Sequence, residues 1–489
     1  MSVGRTALWL VPLALVARGA GFVVPIVIAS WFGVQPATDA FFFALSVPSF
    51  LLVLASNAMG TVAVPPLAAL RLNQPERLPI VISGAAIAGA ALSLSVGVLF
   101  AIVLPFALPH LAKFDEATQA IAVLHMWMLL PFVAGVAAIA VVRAACEVMG
   151  AFRLSALSPI ARAATMLGVV WTLFPLGANA LPIGMGAGAA AELAWLLFVL
   201  GRSGVKLVRP EWPAELTIAT AAVGPVLAGE AMVALNLVVD KGFASRLSEG
   251  SVTLLEYADR ARVIPQTLLE ASLLVVAFNT WSAARARGDR SAQREGVAEA
   301  LRWVFLLAPP ALAGMVVARD PIVRTLFLHG AFPESGVQAC ADALGAFVPG
   351  IFASLVGALL VKAHIVDGRF KLVLGLGLVS LATNATLDAL LAPVWGLPGL
   401  ATATSITTVV VSGVSWALLR TPGERPPRVA FDGLFVAVAS AVGAAGLMGL
   451  GITSLTDGRL WAAALPFVGL LATGMWRARA AVRDGAPGR

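Results

Sequence analysis

The stretch TDAFFFALSVPSFLL (residues 38–52) returns, in its spacing more than its letters, as LEYADRARVIPQTLL (residues 255–269). Asp39, Ala44, Pro48, Leu51 and Leu52 line up with Glu256, Ala261, Pro265, Leu268 and Leu269, each 217 positions later. Upstream, Ala29 and Ser30 recur as Ala244 and Ser245. Downstream, Pro131, Ala145, Gly150, Phe152 and Arg153 recur as Pro349, Ala363, Gly368, Phe370 and Lys371. Matches of Ala and Leu are cheap in so apolar a chain, but a nearly constant offset that also pairs acids, prolines and a base is not. Repeated halves in a polytopic membrane protein point to two bundles facing each other across a substrate path, the usual build of a transporter.

Composition agrees. The 489 residues are 60% apolar and 12% charged, with a mean hydropathy of +0.93, well outside the soluble range. Apolar runs of about 20 residues recur along the chain, as spanning helices require, and about fourteen fit. They are rich in Gly, Ala and Pro and do not alternate polar with apolar, which favours helices over an outer-membrane barrel. Cys146 and Cys340 sit in or beside apolar runs and make no disulfide framework. The first run, from Ala7, follows Arg5 like a signal peptide but continues to Phe32 without a clear cleavage site, so a retained first helix is expected.

The net charge of +7 is distributed as a membrane topology and not as a nucleic-acid surface. Arg71 and Arg77, then Arg202, Lys206 and Arg209, then Arg285, Arg287, Arg290 and Arg294, then Arg420, Arg425 and Arg428, and finally Arg477, Arg479, Arg483 and Arg489 occupy alternate loops and the tail. The loops between, such as Gly33–Ala37 and Leu176–Leu181, carry almost none. By the positive-inside rule both termini are cytoplasmic and the helix count is even. Trp31, Trp212, Trp281, Trp395 and Trp476 fall near helix ends, where interfacial anchors belong.

The expected fold is therefore an all-α polytopic membrane protein with two pseudo-symmetric six-helix lobes, 1–205 and 206–420, and a terminal helix pair with a basic tail, 421–489. No loop is long enough for a soluble catalytic domain. There is no nucleotide phosphate loop, no HExxH and no Cys–His cluster, so no enzyme and no organic cofactor are expected.

A charge at mid-bilayer costs about 2.5–3.5 kcal/mol, so each one needs a reason. Arg18 sits in helix 1 and Asp39 opens helix 2, while Glu256, Asp259, Arg260 and Arg262 crowd helix 8. Glu256 and Arg260, four apart, could neutralise one another. Alternatively Arg18 and Arg260, one from each lobe, supply two guanidiniums suited to a phosphate or diphosphate. A second set comprises Asp240, Asn384, Asp388 and Thr404, oxygen donors on three helices suited to a hard monovalent cation; the plainer alternative is polar glue between helices. Pro25, Pro48, Pro131, Pro225, Pro265 and Pro349 interrupt apolar runs as kinks or hinges.

The segments TDAFFFALSVPSFLL (38–52), SVTLLEYADRARVIP (251–265), PIVRTLFLHGAF (321–332) and GLPGLATATS (396–405) resemble the MurJ/MviN family, lipid II flippases of the multidrug/oligosaccharidyl-lipid/polysaccharide exporter superfamily. The resemblance spans about residues 5–420. It implies a V of two lobes around a cationic cavity and a lipid-accessible groove at helices 13 and 14. It also implies alternating-access transport of a polyprenyl-diphosphate-linked cell-wall precursor by a monomer among membrane lipids. By position, Arg18, Asp39, Ser251, Asp259 and Arg260 match the cavity lining. Asp240, Asn384, Asp388 and Thr404, with the Leu400 carbonyl, match a sodium site. Departures are Val24 and Pro25 where the family has Arg-Asp, Leu52, Val53, Asn57 and Ala58 where it has an arginine pair and Glu-Gly, and Val263 for a glutamate. Arg262 is an addition. Lipid II is the first expected cargo, another lipid-linked glycan the alternative. An ion-coupled multidrug exporter is disfavoured by the arginines, a membrane glycosyltransferase by the short outer loops. A non-transporting scaffold for cell-wall assembly is the remaining alternative, kept open by the missing charges.

Overall fold

The computed structural model describes residues 21–58, 64–205, 214–267 and 289–419, with positions 19 and 208. Among them there are helices and no strand. In order these are α1 (Gly21–Phe32), α2 (Pro36–Ala58), α3 (Val64–Asn73), α4 (Leu78–Leu111), α5 (Glu116–Met128), α6 (Leu130–Val148), α7 (Phe152–Ser155), α8 (Ser158–Thr172) and α9 (Ala180–Arg202). There follow α10 (Ala214–Ala244), α11 (251–267), α12 (Arg290–Val317), α13 (Arg319–Phe327), α14 (Glu334–Val366), α15 (Phe370–Trp395) and α16 (Leu397–Leu419). Eight of the described segments are long and apolar enough to cross a membrane. Arg18, the arginines 285 and 287, and everything from Arg420 onward, including the expected terminal pair, lie outside the described residues.

Local chemistry sets the helix ends. Asp115 caps α5 by accepting from the Thr118 amide at 3.3 Å, a bond that holds its carboxyl below the ordinary carboxylate range. Pro131 opens α6, where a missing N–H costs nothing, whereas its repeat partner Pro349 lies inside the unbroken α14. Pro48 and Pro225 are likewise interior, to α2 and α10.

The chain groups into two compact units. One holds residues to Tyr257 with His329–Pro333 and Val373–Ala389; the other holds Ala258–Leu328, Glu334–Leu372 and the residues from Leu390. In the first, α2 is packed against α5, α6 and α10, and α9 against α6 and α8. Its α4 leaves Leu92, Leu99, Ile102 and Phe106 exposed, a surface that suits lipid. In the second, small residues bring α14 against α16: Ser405 and Ser412 donate to the Ala346 and Ala353 carbonyls, both at 2.7 Å. The repeat boundary near 205 is thus not the packing boundary, because α10 and the middle of α15 pack within the first unit, where Gly229 and Gly377 let the two backbones touch.

The repeat itself is written in the backbone. Gly33 and Gly250 (φ 62° and 85°), Gly150 and Gly368 (81° and 75°), and Gly177 and Gly396 (60° and 61°) take the same left-handed turn at matching positions. Helix α6 ends with the Ala151 amide on the Cys146 carbonyl and α14 with the Arg369 amide on the His364 carbonyl, both 2.9 Å. Even the side chains correspond. Cys146 donates through Sγ to the Leu196 carbonyl at 3.5 Å, and His364, 218 residues later, donates through Nε2 to the Ser415 carbonyl at 3.0 Å.

Candidate functional site

The two turns at Gly33 and Gly250 meet, and each sends side chains to the other. Asp39 reaches the start of α11, where Oδ2 accepts from the Gly250 amide at 2.7 Å. Its Oδ1 accepts from the Thr253 amide at 2.8 Å and hydroxyl at 2.6 Å. A helix N-terminus offers unpaired amides and a positive dipole end, so a carboxylate is the natural partner. Tyr257 returns the contact, donating to the Gly33 carbonyl at 3.2 Å. In the repeat, Asp39 and Tyr257 sit at neighbouring positions of equivalent helices, so the clasp is roughly two-fold.

Loops from further along brace it. The Ala331 amide donates to the Ser30 carbonyl at 2.7 Å, and the Lys113 amide to the Ser245 hydroxyl at 3.2 Å. These are the two serines matched by the repeat. The strap His329–Pro333 fits so closely that a Cβ on Gly330 would overlap the Ser30 carbonyl and one on Gly33 the Ala331 carbonyl. Phe332 packs on Tyr257 with ring centroids 5.8 Å apart.

Beneath the clasp lies a buried ion pair. Lys241 of α10 and Glu256 of α11 meet at 2.7 Å with side-chain exposures of 3% and 2%. The same ammonium donates to the Phe42 carbonyl of α2 at 2.8 Å. One residue away, Asp240 belongs to a different cluster. The Asn384 amide nitrogen donates to Asp240 Oδ1 at 2.5 Å and to Asp388 Oδ2 at 2.9 Å, so two carboxylates share one amide. Asn384 Oδ1 and Asp388 Oδ1 are buried without a hydrogen-bond partner. Elsewhere in the first unit, Glu192 is fully buried between Arg143 and Arg162 and accepts from the Ser158 hydroxyl at 3.0 Å.

Against known families, the model described as "Lipid II flippase MurJ" matches residues 28–464. The chain belongs to the MurJ family. The probable lipid II flippase MurJ of Vibrio cholerae is 28% identical over 423 residues, 81% of this chain and 78% of that one. The probable lipid II flippase MurJ of Haemophilus influenzae is 26% identical over 437 residues, 81% and 82% of the two chains. Among solved structures, a lipid II flippase MurJ in an inward closed conformation superposes with a TM-score of 0.80 at 19% identity, covering 96% of this chain and 98% of that one. At that identity the likeness speaks for the fold.

For this MurJ-family chain the expected site residues fall in distinct places. Asp39 and Ser251, expected on a cavity wall, are in the clasp at 3% and 1% exposure, so a cargo could reach them only with the clasp apart. Asp259 is paired with Arg262 at 2.6 Å, and Arg262 also bonds Gln266 at 3.0 Å and lies 4.9 Å over the Phe347 ring. The added arginine is thereby neutralised and stacked. Arg260, on the same turn, is half-buried. Asp240, Asn384 and Asp388 are brought together, while Thr404 donates to the Leu400 carbonyl at 3.1 Å within α16 of the second unit. Among the described residues no group of three or more His, Cys, Asp or Glu is placed to hold a metal. Sequence reasoning missed Lys241 altogether. Its partner Glu256 is 15 residues away in the chain, across a turn, and carries no helical periodicity to flag it.

Proposed function

We propose that this chain is a lipid II flippase, a transporter and not an enzyme, moving the polyprenyl-diphosphate-linked precursor from the inner to the outer leaflet of the cytoplasmic membrane. The family match across residues 28–464 carries the reading. Both termini are cytoplasmic, which makes the clasp the outer closure, and the lobes 1–205 and 206–420 alternate around the cargo while the terminal pair receives its lipid tail. The chain works as a monomer. Arg18 and Arg260 grip the diphosphate, as planar guanidiniums do bidentately, with Asp259 setting the local charge balance and Asp39 and Ser251 exposed to the cargo on opening.

The clasp suits a switch. The three bonds to the Asp39 carboxylate are charge-assisted, each worth about 1.5–3 kcal/mol net, because water replaces them when they part. A handful of such bonds sets a difference of a few kcal/mol between closed and open, within reach of a ligand's preference.

Asp240, Asn384 and Asp388 would hold a sodium ion. Two buried acceptor oxygens without a donor, in an all-oxygen set carrying two carboxylates, fit a hard monovalent cation. Bound there, it would place a positive charge between the two carboxylates.

The test is complementation. In a bacterium depleted of its own lipid II flippase, this chain should restore growth, and Arg260→Ala should abolish rescue without loss of the inserted protein. Failure by an abundant, inserted wild-type chain would move the cargo to another polyprenyl-linked glycan, the reading that Val24, Leu52 and Val263 favour.

A further inference from the structure

Asp240 and Lys241 are consecutive on α10, so their side chains leave the helix about 100° apart. Asp240 points to α15 and shares the Asn384 amide with Asp388. Lys241 points to α11 and α2, with Glu256 at 2.7 Å and the Phe42 carbonyl at 2.8 Å. A pair that only glued α10 to α11 would need no more than the carboxylate. The bond to Phe42 ties both helices to α2, three residues beyond Asp39 and its contacts with α11.

We infer that Lys241 is a positioning residue that couples the Asp240–Asn384–Asp388 cluster to the outer clasp. Adjacent residues of a helix move together, so α10 cannot shift at Asp240 without displacing the ammonium that joins α2 to α11. Two carboxylates on one amide repel when nothing positive lies between them, so the position of Asp240 depends on the charge held there. Lys241 hands that dependence to the clasp, since hydrogen bonds weaken steeply with misalignment. The inference rests on the sodium reading of the cluster.

The reporter is Thr38→Cys in the full chain. Thr38 is fully buried, and its hydroxyl lies 3.0 Å from that of Thr253 across the clasp, so the thiol meets an impermeant maleimide from outside only when α2 and α11 part. Cys146 and Cys340 are buried and set the background. In reconstituted vesicles, labelling of the parent should differ between sodium and potassium buffers. In Lys241→Met/Glu256→Met, which removes both charges of the pair together, the difference should be lost while sodium still raises the melting temperature. Lys241→Arg, able to donate to both acceptors, should keep the difference. A double variant that retains the sodium response in labelling overturns the coupling, as does a parent whose melting responds to sodium but whose labelling does not. A parent whose melting ignores sodium overturns the ion reading instead, and the coupling with it.

Discussion

Replacing Asp39 by Asn preserves volume and shape and removes one thing, an acceptor for the first turn of α11. Asn can turn its carbonyl oxygen to the Thr253 amide and hydroxyl, which Asp39 now serves at 2.8 and 2.6 Å. Its NH2 then faces the Gly250 amide, donor against donor, where the carboxylate accepts at 2.7 Å. One charge-assisted bond worth about 1.5–3 kcal/mol is lost, and the other two fall to roughly half their strength. The attraction of a negative charge to the helix N-terminus goes as well, about 0.3–1 kcal/mol or more when buried. Relief of burying a carboxylate works the other way. The balance is a loss of about 3 kcal/mol, or a shift of about 100-fold from closed toward open. Amide hydrogen exchange reads it directly, because the Gly250 and Thr253 amides exchange only when the clasp parts. Exchange there should rise by about that factor, with the interior of α9 unchanged as an internal control, and flipping should fall because the closed state is depleted. Equal protection of both amides in Asp39→Asn and wild type would refute the reasoning.

Gly330→Ala puts a methyl into the Ser30 carbonyl at a backbone φ of 58°; the left-handed conformation alone costs about 1–2 kcal/mol, so the strap should undock and the Ala331 amide lose protection in exchange. Glu192→Gln strands two arginines whose side chains are 35% and 26% exposed; the usual cost of about 3–5 kcal/mol is reduced by that exposure to about 2–3 kcal/mol, seen as a lower melting temperature. The triple change Arg143→Val, Arg162→Leu, Glu192→Val, which copies the second repeat, should melt near wild type, and an unfolded triple would contradict the view that the cluster is replaceable packing. Asp240→Ala should abolish the rise in melting temperature with sodium; an unchanged rise would remove Asp240 from the ion site.

The sequence disclosed the scaffold well, because scaffold residues are constrained by local rules that repeat with the chain. Gly33 and Gly250 need a left-handed turn, Gly150 and Gly368 end equivalent helices, and the matched serines Ser30 and Ser245 each receive a loop amide. The clasp and its strap were hidden. HGAF, within the segment 321–332, was readable as a family mark, yet its purpose is a backbone bond to Ser30 and a ring on Tyr257, both fixed by tertiary packing. Glu256 shows the same limit. Helical spacing offers Arg260, four residues on, whereas the contact with Lys241 comes from another helix across a turn and follows no local rule.

Where the repeats differ is where the chemistry lies. Val361, Leu381 and Val411 occupy the positions of Arg143, Arg162 and Glu192, while Thr165 and Val169 occupy those of Asn384 and Asp388. Helices α8 and α15 are equivalent by their flanking glycines, yet one carries an arginine held by Glu192 and the other an amide holding two carboxylates. A pair of lobes with identical interiors would respond identically to any ion and gain no direction from it. Concentrating acceptors in one repeat, on the helix that meets α10, gives a bound cation a single lever, and Lys241 stands at the end of that lever. An equivalent cluster built into the first repeat, with Thr165→Asn and Val169→Asp, would therefore lack that link to the clasp: it should leave the sodium dependence of Thr38→Cys labelling in the hands of Asp240 and Asp388, and abolition of that dependence by the first-repeat changes alone would show that the lobes are not specialised as proposed.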